Sequence, residues 1–283
     1  MPRIALLTPA ADNPYVRTWR PAFDRLAGAL EAAGLTVTPR DWREADGAGV
    51  DAVLPLLAWG YHQQVDDWLA MLDRLDAAGA RVLNPTALLR WNTRKTYLGE
   101  LEEAGVPTVP TIFVARLTQG LVDDARRLLG VDELVVKPQV SAGSHLTLRL
   151  AVGQTLEGGP VGPAMIQPYL SAVEGEGEIS LIHFDGLFSH AVGKVAREGD
   201  FRVQPQFGGR IGPLAPSAEA LEVAAATLAV MDVTPTYARI DLIRGLDGAL
   251  RLMELEAIEP DLFLEHAPDA GAAFAAAVKR AVG

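Results

Sequence analysis

An α/β N-terminal domain with an open parallel sheet, followed by an α+β body with antiparallel sheets, is the architecture this sequence predicts. Three observations carry it. The first ninety residues alternate short apolar runs with amphipathic stretches that close at glycine. From Leu146 onward strand-like segments dominate, two pairs of them turning at Asp-Gly. No internal repeat, long linker or low-complexity tract interrupts the chain.

Ile4–Leu7 and Ala52–Leu57 read as parallel strands buried on both faces. Met1-Pro2-Arg3 ahead of Ile4 superficially resembles a signal peptide, but the apolar run is too short and Pro9 interrupts it. Trp19–Ala33 closing at Gly34, and Val65–Ala78 closing at Gly79, read as helices with the glycine a left-handed cap prefers. Arg81–Leu83 reads as a further strand stopped by Asn84-Pro85. Thr86–Glu103 is helical and Gly105–Pro110 breaks it. Thr111–Val114 is a strand, Thr118–Leu129 a helix, and Glu133–Lys137 a strand. Leu146–Leu150, Ala164–Gln167, Glu178–Phe184 and Leu187–Lys194 follow as strands, the last two joined at Asp185-Gly186, which tolerates the positive φ of a tight turn. Ser217–Met231 is an alanine-rich helix. Tyr237–Ile243 and Arg251–Ala257 form a second hairpin around Leu246-Asp247-Gly248, and a last helix starts near Ala270. Boundaries are expected at 1–84, 85–163 and 164–283.

Composition narrows the function. The chain has 283 residues, 25 Lys and Arg against 36 Asp and Glu, and a formal charge of -11. That surface repels phosphate backbones and acidic membranes, so neither nucleic acid nor membrane is an expected partner. Cysteine is absent, which removes disulfides, a thiol nucleophile and thiolate zinc sites, and fits a cytoplasmic location. No run approaches the ~18 apolar residues of a membrane span. There is no P-loop, no G-x-G-x-x-G after a strand, no H-E-x-x-H and no G-x-S-x-G. His183 and His190 flank a turn and read as polar sheet residues rather than a metal pair.

Acids gather near the C-terminus. Strand alternation puts Glu254 and Glu256 on one face and Met253 and Leu255 on the other, while Asp241 shares its face with Arg239. The hairpin can bring Asp241 beside Glu254. From Asp241 to Asp269 there are eight acids and two bases, a local charge of -6. An oxygen-only ligand set of this kind suits Mg²⁺, with Mn²⁺ the alternative. Ser189–Pro216 is opposite in sign, where Lys194, Arg197, Arg202 and Arg210 outweigh Glu198 and Asp200 in a stretch rich in glycine, with Gly199, Gly208, Gly209 and Gly212. Such a segment beside a metal suits a polyphosphate. Lys137 ends an apolar strand, where a lysine is costly without an anion. The small-residue loop Ser141-Ala142-Gly143-Ser144 follows, with amides able to approach phosphate. Lys95 lies either in the first turn of a helix capped by Asn92 or inside one long helix from Asn84-Pro85.

In order, Lys95, Lys137 with its small-residue loop, Met165-Ile166-Gln167-Pro168-Tyr169-Leu170, a basic glycine-rich loop, Asp241 and Glu254-x-Glu256 resemble the ATP-grasp superfamily, in its glutathione synthetase and RimK-type branch. The resemblance runs from about Asn84 to the C-terminus. Trp59-Gly60-Tyr61, Leu83-Asn84-Pro85, Arg90-Trp91-Asn92 and Phe184-Asp185-Gly186 with Phe188-Ser189-His190 are similar to the O-ureido-serine cyclo-ligases of D-cycloserine biosynthesis and their relatives.

The resemblance implies roles. Lys95 and Lys137 would hold ATP phosphates under a lid of Ser141, Gly143 and Ser144. Gln167, Pro168, Tyr169 and Leu170 would form the adenine hinge, and one of Glu174, Glu176 and Glu178 would take the ribose. Asp241, Glu254 and Glu256 would bind Mg²⁺. Arg202, with Arg210, Lys194 and Arg239, would neutralise the transferred phosphoryl and an acyl phosphate. Trp59, Tyr61 and His62, after a strand's carboxyl end, are the substrate candidates. Glu256 stands where much of the superfamily has Asn, and the lid has fewer glycines than usual. The implied reaction is ATP-dependent ligation of a carboxylate and an amine through an acyl phosphate, releasing ADP and phosphate, on a small amino-acid-like molecule, either by ring closure or between two molecules. A non-catalytic ATP-binding module and a small-acid kinase would use the same phosphate-side residues. A homodimer is compatible with all of these.

Overall fold

The computed structural model describes residues 1–13, 18–197, 202–203 and 208–283. Glu198, Gly199 and Asp200 of the basic segment lie outside the described residues. Strand β1 (Arg3–Thr8) is buried from Ile4 onward and lies between two parallel neighbours, β2 (Thr36–Asp41) and β3 (Ala52–Leu54). Helix α1 (Arg20–Ala32) begins with Pro21 in its first turn and α2 (Val65–Ala77) with Asp66 and Asp67, each placed where a helix start favours it. Gly34 and Gly79 take the positive φ that lets the chain leave each helix. Arg81–Leu83 contributes a single parallel bridge, Val82 to Val53, rather than the expected strand.

The expected helix over Thr86–Glu103 is two helices, α3 (Thr86–Thr93) and α4 (Tyr97–Glu103). They part because the Lys95 N–H donates to Gln139 O at 2.8 Å instead of continuing the helical ladder. Lys95 therefore sits in a break, and Asn92 is not a cap. The middle sheet is antiparallel in the order β4 (Ile112–Val114), β7 (Ala164–Pro168), β5 (Leu134–Pro138), β6 (Leu148–Leu150). Helix α5 (Gln119–Leu129) covers it, capped by the Thr118 hydroxyl and closed at Gly130.

The largest sheet is antiparallel, β10 (Arg210–Leu214), β9 (Leu187–Val195), β8 (Glu178–Phe184), β11 (Tyr237–Arg244), β12 (Leu250–Glu256). Asp185 and Gly186, at φ 50 and 74, make the tight turn between β8 and β9. Helix α6 (Ala218–Ala229) packs on β12, and α7 (Ala272–Val282) returns to α1. Phe274, Ala277 and Val278 of α7 share one core with Ile4, Leu6, Leu30, Phe184 and Tyr237. Among the described residues, no helix is long and apolar enough to cross a membrane.

Strand β12 has a strand partner on one side only, and side chains complete the other. The Tyr97 hydroxyl donates to Leu255 O at 2.8 Å and accepts from Leu255 N–H at 3.1 Å. The Asn92 amide donates to Leu255 O and accepts from Ala257 N–H, both at 2.8 Å. Leu252 exchanges backbone hydrogen bonds with Pro107 and Val109. Buried Asn84 adds bonds to Tyr237 O and Ala257 O, each 2.9 Å, and accepts from Thr236 N–H. An edge so bound cannot slide. Because Asn92→Ala strands the buried Ala257 N–H, it should lower the free energy of unfolding by about 2–3 kcal/mol in urea titrations. A loss under ~0.5 kcal/mol would show that water replaces the amide at no cost.

Candidate active site

A cleft opens between the middle sheet and the large sheet. Its walls come from β5, the loop after it, the end of β7, and β11 with β12. Asp241 pairs with Glu254 and Arg239 with Glu256 across the β11–β12 register, as the hairpin predicts. Asp241, Glu254 and Glu256 each present an oxygen, and these atoms lie within 4.8 Å of one another. With no nitrogen or sulfur in the set, the trio fits a hard divalent cation such as Mg²⁺. A bulge follows Asp241, so Leu242 faces Leu252 and Met253 is the extra residue. Met253 consequently lines the cleft against Tyr169, Leu170 and Ile243, and is not turned away with Leu255 as simple alternation predicts.

Cations hold the acids together. Arg239 bonds Asp241 at 2.9 Å and also Glu256. Lys194 reaches Glu178 at 2.8 Å and Asp241 at 3.2 Å. Lys95 bonds Glu254 and donates to Ser141 O at 3.0 Å, tying the carboxylate strand to the small-residue loop. Burial alone would raise the Asp241 carboxyl, but Arg239 and Lys194 hold it well below the usual range. Burial pushes Glu256 up to about 7, with Arg239 opposing and Glu254 adding to the rise. Lys137, on the β5 wall that faces those carboxylates, has an ammonium with no hydrogen bond or ion pair among the described residues. Burial lowers its ammonium, against the pull of Glu254. It is a half-buried cation on the cleft wall.

Other expected residues fall into place or out of it. Ser141, Gly143 and Ser144 line the cleft, as do Gln167, Pro168, Tyr169 and Leu170. Gln167 donates to Thr111 Oγ1 at 2.8 Å, and the Tyr169 N–H is committed to Glu133 O. Of the three acids Glu174, Glu176 and Glu178, only Glu178 lines the cleft. Glu174 is engaged with the Tyr169 hydroxyl and Arg149, and Glu176 with Arg244 at 2.8 Å on the surface. Lys194, Arg202 and Arg239 line the cleft. Arg210 does not: it is exposed on edge strand β10, opposite Val195. Tyr61 lines the cleft, whereas Trp59 packs on the N-terminal core and stays outside. His62 stands beside Tyr61, buried, with neither ring nitrogen hydrogen-bonded.

One residue was not anticipated. Glu259, in the turn after β12, lines the cleft with its buried Oε2 unpartnered. Burial and then Glu256 raise its carboxyl well above the ordinary range. An acid set between Ile258 and Pro260, just past the carboxylate strand, was the available signal.

Comparison with known proteins places the chain in a family. The N-terminal domain of D-cycloserine synthetase DcsG, taken as a sequence family, matches residues 4–84. The cycloserine biosynthesis protein DcsG of Streptomyces lavendulae is 30% identical over 305 residues, covering 97% of this chain and 97% of that protein. This chain belongs to the DcsG family. The crystal structure of D-cycloserine synthetase DcsG superposes with a TM-score of 0.84 at 28% identity, over 99% of this chain and 100% of the other. The ATP-grasp ligase PsnB, complexed with a phosphomimetic variant of its minimal precursor, Mg and ADP, gives 0.65 at 19% identity over 98% of each chain. That likeness concerns the fold alone: this member of the DcsG family shares the fold of an ATP-grasp ligase.

Burial, with His145 and Lys95 adding, lowers His62 to about 4. An unfolded chain would protonate it near 6.5, so protons favour unfolding as pH falls through the interval between the two values. Stability should therefore drop between pH 7 and pH 5, with about 2 kcal/mol of the drop belonging to His62. Urea titrations of His62→Phe should show a correspondingly shallower slope. An unchanged slope would mean that the ring is protonated in the native state.

Proposed function

We propose that this ATP-dependent ligase forms a carbon–nitrogen bond through an acyl phosphate, with ADP and phosphate as the other products, and closes a ring within one amino-acid-like substrate as in D-cycloserine formation. What carries the proposal is a single juxtaposition: three convergent carboxylates on one wall of a cleft, and the unpartnered ammonium of Lys137 on the facing wall. A triphosphate bridged by divalent cations satisfies both walls at once.

In this reading Lys137 and Lys95 bind the phosphate chain. Lys95 exchanges Glu254 for a phosphate oxygen, which frees that carboxylate for metal. Bound Mg²⁺ or Mn²⁺, held by Asp241, Glu254 and Glu256, would supply positive charge to the phosphate oxygens. Met253, Val135, Val173 and Ile243 enclose the base, which meets the backbone of Tyr169 and Leu170 beside Gln167 and Pro168. Glu178 takes the ribose, since Glu174 and Glu176 are engaged elsewhere. Ser141, Gly143 and Ser144 close over the phosphates and exclude water.

Chemistry then runs in two steps. The substrate carboxylate takes the γ-phosphoryl group and ADP leaves. Arg239, Arg202 and Lys194 hold the charge that develops on the transferred group. A nitrogen of the same molecule attacks the acyl carbon, phosphate departs and the nitrogen loses its proton. Having nucleophile and acyl group in one bound molecule makes capture unimolecular, which favours ring closure over hydrolysis. The segments 1–84, 85–163 and 164–283 serve as substrate unit, central unit with the lid, and C-terminal unit with the metal site.

With O-ureidoserine and MgATP, the protein should release ADP, phosphate and cyclised product in equal amounts. AMP, or a phosphorylated substrate that persists, would contradict the acyl-phosphate route. Glu254→Gln should reduce kcat by at least about a hundredfold while melting near the wild-type temperature. Lys137→Met should weaken ATP binding about tenfold or more by calorimetry, and an unchanged affinity would take Lys137 out of the phosphate site.

A further inference from the structure

The acids of the cleft are not alike. Glu178, Asp241, Glu254 and Glu256 each carry an ion pair to Lys194, Arg239 or Lys95. Glu259 lines the same cleft and has no hydrogen bond or ion pair among the described residues. The hydroxyl of Tyr61, which lines the same cleft and feels the charge of Glu259, has no hydrogen bond among the described residues. A buried polar atom left without a partner costs ~1–3 kcal/mol, so the unpartnered Glu259 Oε2 on the cleft wall marks a place kept for a ligand.

Resting on the ligase reading above, we infer that Glu259 is the anchor for a substrate ammonium group, with the Tyr61 hydroxyl accepting one of its remaining N–H bonds. Every other acid in the cleft has its cation from the protein, and this one takes it from the ligand. The corner also fixes the kind of molecule. Arg239 lines the same cleft, so an ammonium at Glu259 and a carboxylate at Arg239 can be met by one bound molecule. An α-amino acid carries both groups on one carbon. Ile258 and Pro260, both buried, flank the acid and leave it little lateral freedom. Held by an ammonium that takes no part in the bond change, the substrate turns its carboxylate toward the phosphoryl donor. Glu259 is then a specificity-determining residue of the amino-acid class.

The test compares O-ureidoserine with its desamino analogue, in which hydrogen replaces the amine, on wild type and Glu259→Gln. Wild type should prefer the amine-bearing substrate by about ten- to a hundredfold in kcat/KM, the worth of one charged hydrogen-bonded partner. Glu259→Gln should raise KM for O-ureidoserine by a similar factor, leave KM for ATP unchanged and lose most of the preference. Preference retained in the variant would overturn the inference, as would an equal rise in KM for ATP. Calorimetry of D-serine against protein loaded with MgADP reads the same anchor without turnover. Binding should be present in wild type and lost in Glu259→Gln, and equal binding by both would refute the anchor. Wild type that binds D-serine through Glu259 yet never cyclises O-ureidoserine would refute the ligase reading and leave the anchor standing.

Discussion

Strand β12 needs hydrogen-bond partners on an edge that no strand covers, and the rest of the site depends on how that need is met. Asn92 and Tyr97 reach it from the two helices on either side of the Lys95 break, and Asn84 reaches its end from just before α3. The same short stretch therefore sets the height of Glu254 and Glu256 and delivers Lys95 to them. A covered edge is also protected from pairing with another chain. Position and protection come from one set of bonds.

Charge in the cleft is the second constraint. Five acids and five bases line it, so its own side chains nearly balance in a protein of formal charge -11. A free triphosphate would upset that balance, whereas one accompanied by divalent cations is itself near neutral and preserves it. Glu178, Asp241, Glu254 and Glu256 find their cations in Lys95, Lys194 and Arg239. Lys137 and Glu259 are the exceptions, one of each sign.

Much of this was legible in the residues. The Asp185-Gly186 turn, the pairing of Asp241 with Glu254 and the α/β opening all follow from periodicity and turn chemistry. The misses have physical causes. Thr36–Asp41 escaped notice as a strand because it is an edge, polar on its open face and carrying Pro39. Arg210–Leu214 lay inside a segment read as a loop, since Gly212 and Pro213 hide a strand that also sits at an edge. Met253 defeats alternation because a bulge adds a residue that no period-two pattern contains. Asn92 looked like a helix cap, the commonest use of an asparagine there, whereas its partners lie more than 160 residues along the chain. Glu259 was counted only as one more negative charge, because a missing partner is a fact of three dimensions. Basic residues on one segment are likewise inseparable in sequence, yet Arg202 and Arg210 end on different surfaces.

Helix α7 fills the core that β1 and α1 begin, with Phe274 and Val278 lying against Ile4 and Leu30. During synthesis the first sheet emerges from the ribosome long before that helix exists. The core that the first sheet shares with α7 is therefore completed only when the last residues of the chain are in place.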